Sequence, residues 1–330
     1  MRIGFVGGFG HHYLRGALSD DAYSIERPLA FAPSASHDDR AAAIARGLGN
    51  VTFFDDATTM LDQYKPEVVS IGAIYALNGN HAAAALERGI PVVSDKPVAA
   101  TWEQLERLRA IVRAKPQSVL LTEFDFRARA SFRAARQAVR DGKIGPPVLA
   151  TGQKSYRFGS RPDWYRDRAQ YGGMMLWIAS HAIDSVRFVT EKRVMKVVGR
   201  GGNVSRPQFG TSEEYVTAMM ELEGGGTALV HADFYRPEKA RTHGDDRLRV
   251  AGPKGVVEVR GGVCMLIGED GDEQDITESV PSRPIHAELI AAIRGETTDL
   301  FSTAASLEMA ELLLHARDAA DKEAWVQCGS

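Results

Sequence analysis

The sequence predicts an α/β protein with two domains: an N-terminal doubly wound parallel sheet and a C-terminal α+β domain whose sheet is largely antiparallel. Three observations predict this arrangement. Short β-rich runs alternate with helical stretches over residues 1–122, later strands follow one another across short glycine-rich turns, and 330 residues suffice for two domains of ordinary size. We place the domain boundary between residues 122 and 123.

The composition is that of a folded protein and excludes several other classes. Apolar residues make up 44% of the chain and charged residues 25%, which excludes disordered, collagen-like and coiled-coil proteins. A net charge of −3 gives no overall attraction to nucleic acid or to an anionic membrane, so we expect neither as a partner. The longest nearly unbroken apolar run, residues 68–77, is about half of the roughly 20 residues that a transmembrane helix needs.

The cysteines and the N-terminus favour a cytoplasmic protein. Cys264 and Cys328 lie far apart in the sequence, so they predict neither a disulfide framework nor a zinc site, and we expect no metal. The first apolar run is too short for a signal peptide.

The elements of the first domain follow from its alternating pattern. A helical stretch follows the first strand, and Thr101 with Gln104 provides an N-cap for a later helix over 101–114. The other predicted strands and helices are the strands 3–6, 29–32, 68–73, 91–94 and 119–121, and the helices 38–47 and 81–88.

The second domain shows a different pattern. A helix over 132–139 ends at Asp141-Gly142, and a helical tail over 286–318 is interrupted near Gly295. Between them, short turns such as 224–226 join consecutive strands, which favours antiparallel pairing. The predicted strands are 148–150, 196–198, 215–222, 227–234, 247–251 and 256–260.

A glycine-rich turn follows the first strand, where a dinucleotide-binding Rossmann fold brings its backbone close to a pyrophosphate. Counted from Gly8, the motif has Tyr13 at its third glycine position; counted from Gly7, it has Phe9 at its second. The alternative is a simple turn, but its position in a βαβ unit favours dinucleotide binding. The predicted cofactor-binding residues of this turn are Gly7, Gly8, Phe9, Gly10, His11 and His12.

The end of the second strand carries no carboxylate that would bind an adenosine ribose and repel a 2′-phosphate. Ser34, Ser36 and Arg40 could instead accommodate the phosphate, which favours NADP over NAD. The alternative is that Ser36 caps the following helix, with Asp38 and Asp39 complementing its dipole.

Lys96 follows the strand 91–94 and so lies at the carboxyl end of a parallel strand, where α/β sheets bind ligands. A partly desolvated lysine there can donate to a substrate hydroxyl or take part in proton transfer. The alternative is a solvated loop lysine.

Seven motifs occur in the order found in the Gfo/Idh/MocA family of glucose–fructose oxidoreductases and inositol dehydrogenases, which this chain resembles over nearly its whole length. They are the glycine turn, Asn78-Gly79-Asn80-His81, Asp95-Lys96-Pro97, Phe126-Arg127, residues 141–145, Gly172-Gly173 and residues 181–184. The resemblance implies a nicotinamide pocket, to which we assign Ala73, Asn78, His81, Asp95, Lys96 and Pro97. Asp95 stands where the family usually has Glu.

Residues 172–181 resemble the family's helix that presents an Asp and, four residues later, a His to the substrate. Here Trp177 occupies the Asp position and His181 the His position, one helical turn apart. The resemblance implies that His181 takes the alcohol proton, for which its near-neutral unperturbed pKa is suited. The alternative is a core histidine hydrogen-bonded to Asp184. Trp177 lacks the acceptor that Asp supplies, and its apolar face could stack on a sugar ring.

We therefore predict Lys96 and His181 as catalytic residues of an NAD(P)-dependent oxidoreductase acting on a secondary hydroxyl of a sugar, sugar acid or cyclitol. The alternatives are a non-catalytic NAD(P)-dependent sugar-binding or sensor protein, and a lyase or glycosidase that uses tightly bound NAD transiently. The resemblance implies a homodimer or homotetramer. The predicted substrate-binding residues are Arg127, Tyr156, Trp164, Trp177, Tyr235 and His243.

Overall fold

The computed structural model of the protein describes residues 1–35, 47, 50–296 and 298–329, and these form two compact units. The first unit comprises Met1–Glu123, Ala169–Gly172 and Pro284–Glu311; the second comprises Phe124–Arg168, Gly173–Arg283 and Leu312–Ser330. The predicted boundary after residue 122 lies beside the first of these breaks. The segments Ala169–Gly172 and Pro284–Glu311, which the sequence analysis placed in the second domain, belong to the first unit.

The first unit contains a six-stranded parallel sheet with the order β3-β2-β1-β4-β5-β6. This is the strand order of a dinucleotide-binding doubly wound fold, and it reverses direction between β1 and β4. The predicted doubly wound sheet is confirmed. Its strands are β1 (Ile3–Val6), β2 (Leu29–Ala32), β3 (Val51–Phe53), β4 (Val68–Ile71), β5 (Val92–Ser94) and β6 (Leu120–Thr122).

The helices match the predicted alternation, with two differences. The stretch after β1 is a 3-10 helix, Tyr13–Ser19, and the predicted helix 38–47 lies outside the described residues apart from Gly47. The predicted N-cap is confirmed, because the Thr101 side chain accepts a hydrogen bond from the Gln104 amide. The α-helices described are α1 (Ala57–Gln63), α2 (Asn78–Glu87), α3 (Trp102–Ala114), α4 (Ala130–Arg140), α5 (Arg168–Tyr171), α6 (Met174–Trp177), α7 (Ala179–Thr190), α8 (Ile285–Ile293) and α9 (Thr303–Lys322).

The strands at the centre of the first sheet are fully buried and apolar except for Ser70 of β4. Every residue of β1, β2 and β4 is shielded from solvent, as expected for parallel strands covered on both faces. Within the described part of the chain, no helix has both the length and the apolar character needed to cross a membrane.

The second unit contains a nine-stranded sheet with the order β14-β13-β12-β11-β7-β10-β9-β8-β15, antiparallel except for the pairing of β7 with β10. This confirms the largely antiparallel sheet. Its strands are β7 (Leu149–Arg157), β8 (Val194–Gly202), β9 (Tyr215–Leu222), β10 (Thr227–Arg236), β11 (Gly244–Gly252), β12 (Gly255–Arg260), β13 (Val263–Ile267), β14 (Glu273–Asp275) and β15 (Val326–Gln327).

One face of this sheet is covered and the other is open. Helix α7 packs on β7, β10 and β11, and α4 packs on β12 and β13. Burial along β9 and β10 alternates accordingly: Val216, Ala218 and Val230 are buried, whereas Met219 and Leu229 are exposed.

Candidate functional site

The glycine turn lies at the point where the first sheet reverses its strand order. Gly7 follows β1 with a φ of +78°, and a Cβ added there would meet the Ala73 Cα at 2.5 Å and the Gly72 oxygen at 2.6 Å. A Cβ at Gly10 would lie 2.5 Å from Asp95 Oδ2. Only a bare backbone fits between the segments that follow β1, β4 and β5, which explains why the sequence has glycine at both positions.

Several amides of this turn are bound by acceptors of the protein itself. The Phe9 and Gly10 amides both donate to the Gly72 carbonyl, at 3.0 and 2.9 Å. The His11 amide donates to Asp95 Oδ2 at 2.8 Å, and the Tyr13 amide donates to Glu123 Oε1 at 3.0 Å. These donors therefore stabilise the turn, whereas the glycine motif predicts amides directed toward a pyrophosphate.

His12 supports the turn from inside the protein. Its Nδ1 lies 2.7 Å from Ser70 Oγ, and its Nε2 lies 3.0 Å from the Gly7 carbonyl oxygen. Because a carbonyl can only accept, Nε2 carries the proton and Nδ1 accepts from the Ser70 hydroxyl. Burial lowers the pKa of His12 from 6.5 to about 4, so the ring is neutral at pH 7. Both ring nitrogens are bound within the protein, which gives His12 a structural position in the turn.

Lys96 is buried, with 1% of its surface exposed, which contradicts the alternative of a solvated loop lysine. Its Nζ donates to Asp95 Oδ1 at 2.8 Å and lies 3.2 Å from His11 Nδ1. His11 Nδ1 is in turn 3.3 Å from Asp95 Oδ2, and about half of the His11 side chain is exposed. The three side chains form one cluster at the carboxyl end of β5.

Asp95 provides the negative charge of this cluster. Burial by itself would raise the pKa of Asp95, but Lys96 and His11 outweigh that effect and hold the pKa well below its usual range. The Asp95 carboxylate therefore remains ionised and compensates the Lys96 ammonium group in the interior.

Asn78 connects the segments that follow β4 and β5. Its Oδ1 accepts from the Ala73 amide at 3.1 Å, and its Nδ2 donates to the carbonyls of Asp95 at 3.2 Å and Pro97 at 3.0 Å. The amide thus fixes the backbone on both sides of Lys96. Three predicted cofactor residues, Ala73, Asn78 and Pro97, are brought together in this way.

The remaining predicted cofactor residues of the first unit lie nearby in the fold or outside the described part. Ser34 Oγ accepts from the Ile74 amide at 3.3 Å. The Nε2 atom of His81 is buried and has no hydrogen-bond partner in the described part of the chain, and burial lowers the pKa of this histidine. Ser36 and Arg40 lie outside the described residues.

A cavity of about 670 Å³ opens beside the glycine turn. Its lining includes Gly10, His11 and Tyr13 of the turn together with Arg15 and Arg27, two cations that the sequence analysis did not single out. The two arginines of this cavity suit the anionic pyrophosphate of a dinucleotide, whereas His81 does not line it.

The second unit contains His181 in a different setting. The predicted continuous helix is divided at Ile178, so Trp177 ends α6 and His181 belongs to α7. The His181 ring makes edge contacts with Phe124 and Phe126, at centroid distances of 5.9 and 6.3 Å. The side chain is buried among aromatic rings.

Asp184, the residue proposed in the alternative as the partner of His181, is bound by Arg127. Arg127 Nε donates to Asp184 Oδ2 at 2.8 Å, and Nη2 donates to Oδ1. Both side chains are buried, and the guanidinium also lies 5.4 Å from the centre of the Phe124 ring. Arg127 is thus held in an internal ion pair.

Four of the predicted substrate residues form an aromatic cluster with one further ring: Tyr156, Trp164, Tyr165, Trp177 and His243. Tyr156 lies 5.9 Å from Trp177 and 4.9 Å from His243, Tyr165 lies 5.5 Å from Trp177, and Trp164 lies 4.2 Å from Tyr165, all between ring centroids. The Arg161 guanidinium lies over the Trp177 ring, 5.4 Å from its centre.

Tyr235 is not part of this cluster. It pairs with Arg157 across β7 and β10, so it faces the side of the sheet opposite to Tyr156. Its hydroxyl donates a hydrogen bond to Glu214 Oε1 at 2.6 Å. The same oxygen also accepts a hydrogen bond from the Ser205 amide. Tyr235 therefore stabilises a loop beside the open face of the sheet.

Comparison with known proteins matches both parts of the chain. A family model described as an oxidoreductase family with an NAD-binding Rossmann fold matches residues 1–123, and the GFO/IDH/MocA C-terminal domain model matches residues 132–258. The chain belongs to the Gfo/Idh/MocA family. It is thereby a member of an oxidoreductase family, which confirms the resemblance inferred from the motifs.

Individual members of the Gfo/Idh/MocA family are similar over different lengths. A solved structure from Thermotoga maritima, described as an oxidoreductase, is 30% identical with a TM-score of 0.91, covering 99% of this chain and all of its own. D-glucoside 3-dehydrogenase of Escherichia coli K12 is 28% identical over 59% of this chain, which spans only 60% of that enzyme. Myo-inositol 2-dehydrogenase of Thermotoga maritima is 24% identical over 82% of this chain and 80% of its own.

Proposed function

We propose that this Gfo/Idh/MocA protein is an NAD(P)-dependent oxidoreductase that transfers hydride between nicotinamide and a secondary hydroxyl of a sugar, sugar acid or cyclitol. The observation that carries the proposal is Lys96, buried at the carboxyl end of β5 with Asp95 as its counter-ion. Oxidation of an alcohol requires a group that holds the hydroxyl and a group that receives its proton. A buried ammonium group beside a dinucleotide fold suits the first role.

The residues of the first unit would hold the cofactor. The glycines allow the turn to pack against the segments after β4 and β5, while Arg15 and Arg27 beside the turn supply positive charge for the phosphates. When bound, the nicotinamide ring supplies the hydride acceptor. Asn78 keeps the backbone around Lys96 in place, so that the ammonium group has one position.

The chain's own groups manage the hydroxyl and its proton. Lys96 would donate a hydrogen bond to the substrate oxygen and polarise its O–H bond. His181 would take the proton at a ring nitrogen, in the role that the family resemblance implies. The rings of the aromatic cluster would bind the apolar face of the sugar.

We propose NADP as the cofactor, because residues 32–37 contain no carboxylate that would repel a 2′-phosphate. The first experiment is a titration of the purified protein with NADPH and with NADH, followed by quenching of tryptophan fluorescence. A preference of about tenfold for NADPH, equivalent to about 1.4 kcal/mol, supports this choice. Equal or tighter binding of NADH contradicts it, and binding of neither would contradict the dehydrogenase proposal itself.

The role of Lys96 is tested by Lys96→Met, which keeps most of the length of the side chain and removes its charge. We expect turnover to be lost while dinucleotide binding changes little. Lys254→Met, at an exposed turn, is the matched control and should keep full turnover. Retained turnover in Lys96→Met would exclude the proposed role.

Trp177 favours a second candidate, a non-catalytic NAD(P)-dependent sugar-binding protein. It stands where the family resemblance implies an Asp, and its buried ring offers no acceptor to a hydroxyl. This candidate predicts binding of dinucleotide and sugar with no change in nicotinamide absorbance across a broad sugar panel. One sugar that is turned over would exclude it.

We also propose a homodimer or homotetramer formed through the open face of the second unit's sheet. Leu229 and Met219 lie opposite each other in β10 and β9, 45% and 36% exposed, and Leu149 extends the apolar surface on β7. Exposed apolar patches of this kind mark association surfaces. Light scattering at micromolar concentration tests the proposal, and a monomer would contradict it.

A further inference from the structure

A second cavity, of about 670 Å³, lies at the end of the second unit's sheet, where β7, β10 and β12 finish and β11 begins. Side chains from both faces of the sheet can reach it at this end. Tyr156 of the aromatic cluster is one of its walls, so the cavity adjoins the residues proposed to hold the sugar ring. We call it the basic cavity.

The basic cavity carries a local excess of positive charge in a protein whose net charge is −3. Five cationic side chains line it, against the two carboxylates of Asp245 and Asp246. The cationic residues are Arg129, Lys154, Arg236, Arg247 and Arg260.

Both carboxylates are already shared between cations. Asp246 lies 2.5 Å from Lys154 Nζ and 3.2 Å from Arg129 Nη1. Asp245 lies 2.7 Å from Arg247 Nη2 and 3.3 Å from Arg236 Nη1. They compensate only part of the positive charge. Among the described residues the Arg260 side chain forms no hydrogen bond or ion pair, although its charge helps to lower the pKa of Asp245.

Arg260 also faces a second cation across the sheet. In the pairing of β11 with β12 it stands directly opposite Arg247, and two like charges at such positions destabilise a sheet. The next residues, Gly261 and Gly262, have positive φ angles, and a Cβ on either would meet no atom within 4 Å. The rim beside Arg260 is therefore open to a ligand.

We propose that the basic cavity binds an anionic group of the substrate, a carboxylate or a phosphate, and that the carbohydrate of this protein is acidic. The guanidinium fork matches the paired oxygens of either anion, and an anion between Arg247 and Arg260 would turn their repulsion into attraction. The inference rests on the proposed function, because it takes the adjoining aromatic cluster to hold the sugar ring.

The test is calorimetric titration of the purified protein with D-glucuronate, D-glucose 6-phosphate and D-glucose. We expect at least one acidic probe to bind at least tenfold more tightly than D-glucose at low salt, with the preference shrinking as ionic strength rises. The tighter of the two acidic probes identifies the anion as carboxylate or phosphate. Equal binding of acidic and neutral probes, or no binding of either acidic probe, would overturn the proposal.

Arg260→Gln provides a second measurement, since this side chain forms no hydrogen bond or ion pair with the described residues. We expect the variant to lose at least fivefold in affinity for the acidic probe and to bind D-glucose as the wild type does. The matched control is Arg200→Gln, an exposed arginine of β8 that should behave as wild type. Wild-type binding of the acidic probe by Arg260→Gln would overturn the proposal.

The same preparation distinguishes the two proposals. If NADPH or NADH binds but acidic and neutral probes bind alike, the basic cavity is not an anion site and the proposed function stands. If an acidic probe binds tightly and neither dinucleotide binds, the anion site stands and the dehydrogenase proposal fails.

Discussion

Lys96 and Asp95 are neighbours in the sequence and form an ion pair, Nζ to Oδ1 at 2.8 Å, with no more than 1% of either side chain exposed. Both charges have lost their hydration, and each depends on the other for compensation. His11 is the part of this cluster that reaches solvent. The pair sits at the position where the proposed reaction needs a fixed ammonium group.

Removal of the Asp95 charge should therefore destabilise the protein strongly. Asp95→Asn leaves the buried Lys96 ammonium uncompensated, and we expect a loss of about 3 kcal/mol in the free energy of unfolding, measured by urea denaturation. Asp62→Asn, which breaks an exposed ion pair with Arg88, is the control and should cost less than about 1 kcal/mol. Similar losses in the two variants would show that the Asp95 pair is not desolvated in solution.

His12 should make the stability depend on pH in a defined window. The unfolded chain takes up this proton near pH 6.5 and the folded chain only near pH 4, so the unfolded state binds more protons between these values. The contribution of neutral His12 to the free energy of unfolding is complete above pH 6.5. It decreases by about 3 kcal/mol as the pH falls toward 4 and does not change further below that. His12→Gln should show a smaller decrease in unfolding free energy over this window. Equal pH slopes for variant and wild type would contradict a neutral buried histidine.

Arg127 should act on stability, not on substrate affinity. Its pairing with both oxygens of buried Asp184 leaves an uncompensated carboxylate when the arginine is replaced, so Arg127→Met should lower the free energy of unfolding by about 3 kcal/mol. The folded fraction at low temperature should keep the wild-type KM for the sugar. An increased KM with little loss of stability would instead support the substrate-binding role predicted from the family resemblance.

Most strands of the first sheet could be predicted because they are short, largely apolar runs, such as β2. β3 was not predicted, since it has three residues and its Phe53 is largely exposed, so no burial pattern marks it. The segment that begins at residue 284 belongs to the first unit, which the sequence did not predict. Contacts such as Leu120 N to Thr303 Oγ1 join residues 183 positions apart, so no local sequence pattern indicates them.

The sequence likewise predicted the positions of some site residues but not their contacts. The position of Lys96 followed from its place after a strand, but its contact with His11, 85 residues away, depends on the tertiary fold. The same limit applies to His12, because a turn has no periodicity that tells inward from outward side chains. The sequence could have excluded Tyr235 from the aromatic cluster. Side chains alternate along a strand, so Tyr235 and the buried Phe234 lie on opposite faces of the sheet.

Trp177 should bind the sugar through the face of its ring. Its ring lies in the aromatic cluster and beneath Arg161, where a flat apolar surface suits the C–H face of a sugar. Trp177→Phe keeps an aromatic face, whereas Trp177→Leu removes it; both replacements are smaller than tryptophan. We expect Leu to weaken sugar binding about tenfold, or about 1.4 kcal/mol, and Phe to weaken it much less, by calorimetry with the best-bound sugar. Dinucleotide affinity should not change in either variant, and Trp325→Leu, at an exposed tryptophan, should bind sugar normally. If the Leu variant binds sugar as tightly as the wild type, the ring is a packing residue, and the replacement of the family's Asp has left the substrate site without this contact.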